Sequence, residues 1–186
     1  ETCPGHSTIL TGARPARTGI IANSWFDMAS KRKDKNGEPD KEIYCAEDES
    51  KGASSSPSDY VPSPIHLKVP TLGDRMKAAD PRSRVISVAG KDRAAIMMGG
   101  THTDEIWFLR ATDAAQFITL PGRSNMPASV VKANAAIDTA LAAPAGPFDL
   151  KENADLCAAH RQSLGITTDR TIGTGTFERK AGDKAA

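Results

Sequence analysis

Three side chains in this sequence, Thr2, Lys91 and Arg93, have the types and surroundings that phosphate chemistry requires. Thr2 lies just before a predicted helix that begins at Pro4, where a proline loses no helical hydrogen bond. The positive field at a helix N-terminus favours a developing alkoxide and a bound phosphate. Taken locally, however, the pattern favours a helix that Thr2 or Cys3 simply caps.

The cations Lys91 and Arg93 follow Gly90 at the end of a predicted strand over 84–89. Ligands of α/β sheets bind beyond the carboxyl ends of the strands, so a tight turn with two cations is a candidate anion cradle. An arginine can contact two phosphate oxygens, whereas a lysine acts as a point charge. Most such pairs on turns are solvated, so this local pattern does not establish a phosphate site.

The elements that would position these residues alternate between helix and strand. We predict helices over 4–11, 72–79, 92–98 and 129–143, and strands over 84–89, 105–109 and 116–120. This alternation is typical of an α/β protein. We interpret residues 1–186 as a single partial domain that ends in a loop-rich tail over 150–186.

Residues 31–64 differ in composition from the rest, because they are rich in Lys, Asp, Glu, Ser and Pro and lack apolar periodicity. We expect them to form a long loop insertion on the surface. The run Glu47, Asp48 and Glu49 lacks the ligand spacing of a calcium-binding loop. We therefore interpret it as a solvated acidic loop.

The three cysteines, Cys3, Cys45 and Cys157, have no C-x-x-C spacing, which argues against a structural zinc knuckle. Cys45 and Cys157 lie in polar, loop-like stretches and are the better pair for a disulfide in an oxidising compartment. A bridge to a cysteine elsewhere in a longer chain is equally allowed.

Charge and hydropathy argue against two kinds of partner. Lys and Arg total 24 and Asp and Glu total 23, so the net charge of +1 gives no case for binding nucleic acid or an anionic membrane. No apolar run approaches the roughly 20 residues of a transmembrane helix.

Two long segments resemble the alkaline phosphatase superfamily, in particular its phosphate-irrepressible, single-chain branch. Residues 2–15 read Thr-Cys-Pro-Gly-His-Ser-Thr-Ile-Leu-Thr-Gly-Ala-Arg-Pro, and residues 17–27 read Arg-Thr-Gly-Ile-Ile-Ala-Asn-Ser-Trp-Phe-Asp. The second segment, 87–96, reads Ser-Val-Ala-Gly-Lys-Asp-Arg-Ala-Ala-Ile, and the stretches 44–49 and 67–72 are similar too. The resemblance implies an alkaline-phosphatase-like α/β fold with a central, mostly parallel sheet flanked by helices.

The resemblance also implies roles for four residues in the hydrolysis of phosphate monoesters. Thr2 matches the nucleophile that bridges toward two zinc ions and forms a phosphothreonine intermediate. Asn23 matches the asparagine that hydrogen-bonds a phosphoryl oxygen, and Lys91 and Arg93 match the cations that contact the non-bridging oxygens. A threonine hydroxyl is a poor nucleophile near neutral pH, so activation by Zn²⁺ is consistent with this chemistry. A further Ca²⁺ or Mg²⁺ ion is left open.

The zinc ligands of that family are Asp and His residues upstream of the nucleophile and well downstream of it, and neither region is in this sequence. The four histidines lack metal-ligand spacing, and we interpret them as surface or turn residues: His6, His66, His102 and His160. We therefore expect the chain to be inactive by itself.

Three other functions are weighed against the monoesterase. A phosphodiesterase or nucleotide pyrophosphatase of the same superfamily would share the threonine and asparagine but generally lacks the pair Lys91 and Arg93. A sulfatase is disfavoured, because the residues after Cys3 do not match Cys-x-Pro-x-Arg. A non-catalytic, degenerate member is the alternative of a different class.

Compartment and partners follow from the resemblance rather than from particular residues. It implies a bacterial periplasmic or secreted enzyme, with a signal peptide that is not present in this chain. We expect small-molecule phosphate monoesters as partners, neither nucleic acid nor membrane, and a monomeric protein.

Overall fold

The structure is a computed structural model that describes residues 1–56, 59–111, 115–123 and 125–144, together with positions 155 and 159. Its helices are α1 (Thr2–Thr11), α2 (Pro15–Thr18), α3 (Leu72–Ala79), α4 (Asp92–Gly99) and α5 (Ala128–Ala142). Its strands are β1 (Ser24–Phe26), β2 (Glu42–Tyr44), β3 (Ile86–Ala89), β4 (Glu105–Ala111) and β5 (Ala115–Ile118). No helix in this described part of the chain is long and apolar enough to cross a bilayer.

The strands form two separate sheets. In the larger one, β3 pairs in parallel with β4, and β5 pairs antiparallel with the other edge of β4. The smaller sheet is the antiparallel pair of β1 and β2. The α/β class is confirmed, whereas only one of these three pairings is parallel. Three residues separate β4 from β5, too few for the crossover that a parallel connection requires.

Local sequence signals account well for α3 and less well for α1. Thr71 caps α3 as predicted, because its side chain accepts from the N–H of Asp74 while its own N–H donates to the Asp74 carboxylate. Helix α1 begins at Thr2, two residues before the predicted start at Pro4. It ends as expected at Gly12, whose φ of 67° lies in the left-handed region.

The core lies where α4 packs against α1 and against β3 and β4 of the larger sheet. Ile106, Trp107 and Phe108 of β4 are all buried, and Ile106 and Phe108 belong to the same core cluster as Ile96 and Met97 of α4. The cluster consists of Cys3, Ile20, Cys45, Ala46, Leu67, Ala95, Ile96, Met97, Ile106 and Phe108. This packing fixes the start of α1 and the start of α4 relative to each other.

The segment after β2 is buried, so the interpretation of a solvated acidic loop is wrong for Glu47 and Asp48. Their exposures are 0% and 3%. The Glu47 carboxylate accepts from Nη1 of Arg32 at 3.0 Å, and Lys51 Nζ lies 2.8 Å from Asp48. Buried carboxylates are tolerated where cations and hydrogen-bond donors compensate their lost hydration.

The disulfide joins Cys3 to Cys45, with 6.5 Å between their Cα atoms, so the expected pairing of Cys45 with Cys157 is wrong. The sequence placed Cys45 in a polar loop, but its side chain is fully buried beside α1. Cys157 and most of the predicted tail over 150–186 lie outside the described residues.

Candidate functional site

Thr2 occupies the first turn of α1, with its side chain partly exposed. The residue at the cap position is Glu1, and no side chain caps this helix, so capping by Thr2 or Cys3 is not observed. Within the described residues, the hydroxyl of Thr2 makes no hydrogen bond, whereas its carbonyl oxygen lies 2.8 Å from Nδ1 of His6. The hydroxyl is therefore available to a ligand in the positive field of the helix N-terminus.

Asn23 lies beside Thr2, because it is hydrogen-bonded to the residues on both sides of it. Its Oδ1 accepts from the N–H of Cys3 at 2.9 Å, and its own N–H donates to Oε2 of Glu1 at 2.6 Å. The bond from Cys3 orients the side-chain amide, and the bond to Glu1 holds the backbone of Asn23. Among the described residues, its Nδ2 donates to no protein group, so it remains free to bind an oxygen atom beside Thr2.

Lys91 and Arg93 line a cleft of about 330 Å³ at the carboxyl end of β3. Lys91 is the exposed N-cap residue of α4, and Arg93 lies two residues further along the chain, in the first turn of the helix. We call Lys91, Asp92 and Arg93 the cationic turn. The guanidinium of Arg93 is half-buried; its Nη1 lies 3.5 Å from Oη of Tyr44, and its Nε has no partner among the described residues.

Sequence reasoning missed two residues of this cleft, Tyr44 and Tyr60. Their hydroxyls donate to the same oxygen, Oδ2 of Asp92, at 2.9 and 2.7 Å. Burial, reinforced by the negative charge of Asp92, raises the pKa of both phenols, so both remain protonated donors. No sequence signal indicated these contacts, because Tyr44 and Tyr60 lie 48 and 32 residues from Asp92 along the chain.

The disulfide connects the two parts of the candidate site. Cys3 directly follows Thr2, and Cys45 directly follows Tyr44, whose hydroxyl contacts the cationic turn. Since α1 also packs against α4, the segments that carry Thr2 and the cationic turn are attached to a single core.

The described residues do not assemble a metal site, since none of their His, Cys, Asp and Glu side chains form a group of three that could hold an ion. His66 lies in a turn with Nε2 3.0 Å from Oε2 of Glu49 and its ring edge-on to Trp25. His102 is exposed, as expected, whereas His6 lies within α1. His160 is outside the described part of the chain.

The sequence matches the family model of type I phosphodiesterases and nucleotide pyrophosphatases over residues 1–105. It is 52% identical over 183 residues to the alkaline phosphatase PhoK of Sphingomonas sp, covering 98% of this chain and 30% of that protein. It is 50% identical over 183 residues to the alkaline phosphatase PhoD of Zymomonas mobilis, covering 98% of this chain and 29% of that protein. The chain thus spans about 30% of the length of these relatives.

The fold is similar to the crystal structure of wild-type alkaline phosphatase PafA. The TM-score is 0.60 at 27% sequence identity, and the match covers 80% of this chain and 28% of that one. The structural likeness agrees with the α/β class deduced from the sequence.

Proposed function

This chain belongs to the type I phosphodiesterase and nucleotide pyrophosphatase family of the alkaline phosphatase superfamily, and from that premise we propose that it carries the nucleophile and phosphate-binding residues of a phosphate monoesterase. The observation that carries the proposal is the hydrogen bond from the N–H of Cys3 to Oδ1 of Asn23. This bond supports the proposal because it joins Asn23 to the residue after Thr2, and among the described residues neither Nδ2 of Asn23 nor the hydroxyl of Thr2 has a partner.

Thr2 is the proposed nucleophile. Its Oγ1 forms a bond to phosphorus as the bond from phosphorus to the ester oxygen breaks, the alcohol leaves with a proton, and Thr2 loses its hydroxyl proton to solvent. Water then attacks the phosphorus of the phosphothreonine in line, the bond from phosphorus to Oγ1 breaks, inorganic phosphate leaves, and Oγ1 takes a proton from solvent to restore the hydroxyl. The helix N-terminus favours the negative charge that develops at Oγ1.

Asn23, Lys91 and Arg93 are the proposed phosphate ligands. A phosphoryl transition state spreads negative charge over its equatorial oxygens, which fixed donors and cations stabilise in a partly water-excluded cleft. Nδ2 of Asn23 supplies a donor beside Thr2, and the unpaired Nε of Arg93 supplies a directional one in the cleft. Lys91 adds a point charge.

Two zinc ions are proposed as the cofactor, with Thr2 as one ligand, by analogy with the family. The described residues do not provide the other ligands, so we propose that these lie elsewhere in a longer polypeptide, and we argue no step through the metal. A third ion, calcium or magnesium, remains part of the same proposal. Metal analysis of the complete protein, before and after chelation, checks this point.

A phosphodiesterase or nucleotide pyrophosphatase is the second candidate, and the description of the matching family favours it. The cationic turn supports the monoesterase, since a monoester presents more charged oxygens than a diester does. The names of the two relatives with at least 50% identity also support it. A non-catalytic, degenerate member is the third candidate.

We further propose a periplasmic or secreted location and a monomeric enzyme acting on small phosphate monoesters. The disulfide between Cys3 and Cys45 supports this location, because such bonds persist in oxidising compartments. Cell fractionation checks the location: a cytoplasmic, fully reduced protein would contradict it.

Turnover of p-nitrophenyl phosphate and of its bis ester by a complete protein that carries this chain tests the proposed function. We expect the monoester to be preferred, and we expect Thr2→Ala to lower kcat by at least about a thousandfold. Thr8→Ala, on the same helix, is the matched control and should retain wild-type turnover. Near wild-type turnover by Thr2→Ala would refute the nucleophile, and a preference for the bis ester would favour the second candidate.

A further inference from the structure

The cationic turn is contacted by two side chains that the proposed chemistry does not use. Asp92 lies between the two proposed phosphate ligands in the sequence. Its Oδ2 accepts hydrogen bonds from two phenol hydroxyls, those of Tyr44 and Tyr60, so its carboxylate is oriented toward the tyrosines. The two rings meet edge to face, with centroids 5.4 Å apart and planes at 81°. Two donors from separate segments therefore converge on one oxygen at the start of α4.

These hydrogen bonds affect how much positive charge Lys91 and Arg93 can offer to a phosphate. A carboxylate between two cations would otherwise be free to pair with them and reduce the charge offered to a phosphate. Hydrogen bonds from two neutral donors hold Asp92 on the tyrosine side instead. Because both phenols stay protonated, they donate throughout the neutral and moderately alkaline range.

Tyr44 has a second contact that Tyr60 lacks. While its hydroxyl donates to Asp92, its oxygen lies 3.5 Å from Nη1 of Arg93 and can accept from it. This contact restrains one end of the guanidinium and leaves Nε without a partner in the described structure. Tyr60 contacts the cationic turn through Asp92, so the two tyrosines should differ in their effect.

We propose that Tyr44 and Tyr60 are positioning residues for the cationic turn, and that they act through the carboxylate of Asp92. Their role is to hold the two cations in the geometry that favours the extra charged oxygen of a monoester over a diester. This inference rests on the proposed function, and it goes beyond it by assigning ester selectivity to side chains that do not touch the substrate.

The test compares ester selectivity in variants of the complete protein. Tyr44→Phe should lower kcat/KM for p-nitrophenyl phosphate about tenfold and change that for the bis ester less than about twofold. Tyr60→Phe should act in the same direction but more weakly, about threefold. The inhibition constant of inorganic phosphate should rise in parallel with the loss of monoester turnover.

Ser55→Ala is the matched control for a purely structural role. Ser55 lines the same cleft, and its hydroxyl contacts Arg32 and Glu47, away from Asp92. It should leave the ratio of monoester to diester turnover unchanged even if it lowers the melting temperature. If the tyrosines only anchored their segments, their variants would behave in the same way, and the proposal would be overturned.

The remaining outcomes separate failure of the positioning role from failure of the proposed function. Equal losses on both esters, or none, in a folded Tyr44→Phe would refute the positioning role. If that variant does not fold, Tyr60→Phe and Asp92→Asn are judged by the same ratio. A wild-type protein without Thr2-dependent monoester turnover refutes the proposed function itself, whereas unchanged selectivity in an active, Thr2-dependent enzyme refutes the inference alone.

Discussion

At the scale of single residues, Gly100, the residue that ends α4, is a position where the backbone clearly requires glycine. Its φ is +80°, and a Cβ atom there would meet side-chain oxygens of Asp74 and Thr71. We expect Gly100→Ala to destabilise the protein by about 3 kcal/mol, from backbone strain together with steric overlap. Urea unfolding of the complete protein measures this difference.

Gly90 is the matched control, since it lies next to the opposite end of α4, directly before Lys91, and has open space around it. No atom lies within 4 Å of the position that its Cβ would take, and its φ is not in the left-handed region. Gly90→Ala should therefore leave the unfolding midpoint near that of the wild type. Equal losses in both variants would contradict the view that the positive φ of Gly100 and its close approach to Asp74 require glycine there, because replacing a glycine at an unstrained position should not destabilise the protein.

Residue types in a motif were predictable from the sequence, but their long-range partners were not. Thr2 and Asn23 were named from a contiguous pattern, and the structure brings them together through Cys3. Tyr44 and the disulfide partner of Cys3 depend on tertiary packing between segments more than 40 residues apart. Periodicity and spacing carry no information on such contacts, which is why the disulfide prediction was wrong.

At the scale of elements, the start of α3 joins a helix cap to the turn after α4. The carboxylate of Asp74 accepts from the backbone N–H groups of Thr71, Thr101 and His102. Burial alone would raise the pKa of Asp74, but these bonds outweigh it and hold the pKa below its ordinary value. The ionised carboxylate is therefore the form that stabilises the folded state.

Asp74→Asn should be destabilising at neutral pH by about 2 kcal/mol, because a neutral amide accepts these bonds less strongly. A carboxyl whose folded-state pKa is depressed contributes fully above its unfolded value of about 4, and this contribution disappears as the pH falls through the folded-state pKa. The difference between wild type and variant should thus shrink below about pH 4. Thermal unfolding across pH 3 to 7 checks this. Asp80→Asn, at an exposed carboxyl that pairs with Arg82, is the control and should have a much smaller effect.

Element types were predictable where a cap or a strong periodic pattern marked them. The bounds of α3 agree with the prediction at both ends, because Thr71 and Asp74 encode the start locally. The burial of Glu47 and Asp48 was not predicted, because composition alone does not distinguish a buried, paired carboxylate from a solvated one. The buried carboxylate of Glu47 depends on its pairing with Arg32, which no local pattern indicates.

At the scale of the whole molecule, the described core holds two distant motifs on one framework. The packing of α1 against α4 and the bridge from Cys3 to Cys45 attach the segment of Thr2 and the segment of Tyr44, whose hydroxyl contacts the cationic turn, to the same core. Under the proposed function, donors and charges held in this way would need little rearrangement when a transition state forms. The described residues do not form a group that could hold a metal ion, so the proposed zinc site requires ligands from elsewhere.

We expect the 186-residue chain, expressed by itself, to be inactive. It carries the proposed phosphate ligands and the hydroxyl of Thr2, but a threonine without a metal is a poor nucleophile near neutral pH. We expect less than one tightly bound zinc per chain and no turnover of p-nitrophenyl phosphate above that of Thr2→Ala. In a complete protein, chelation should abolish Thr2-dependent turnover, and added zinc should restore it. Metal analysis and turnover, measured on the same preparations, separate the two cases: stoichiometric zinc with Thr2-dependent turnover in the isolated chain would contradict the view that the other metal ligands lie elsewhere.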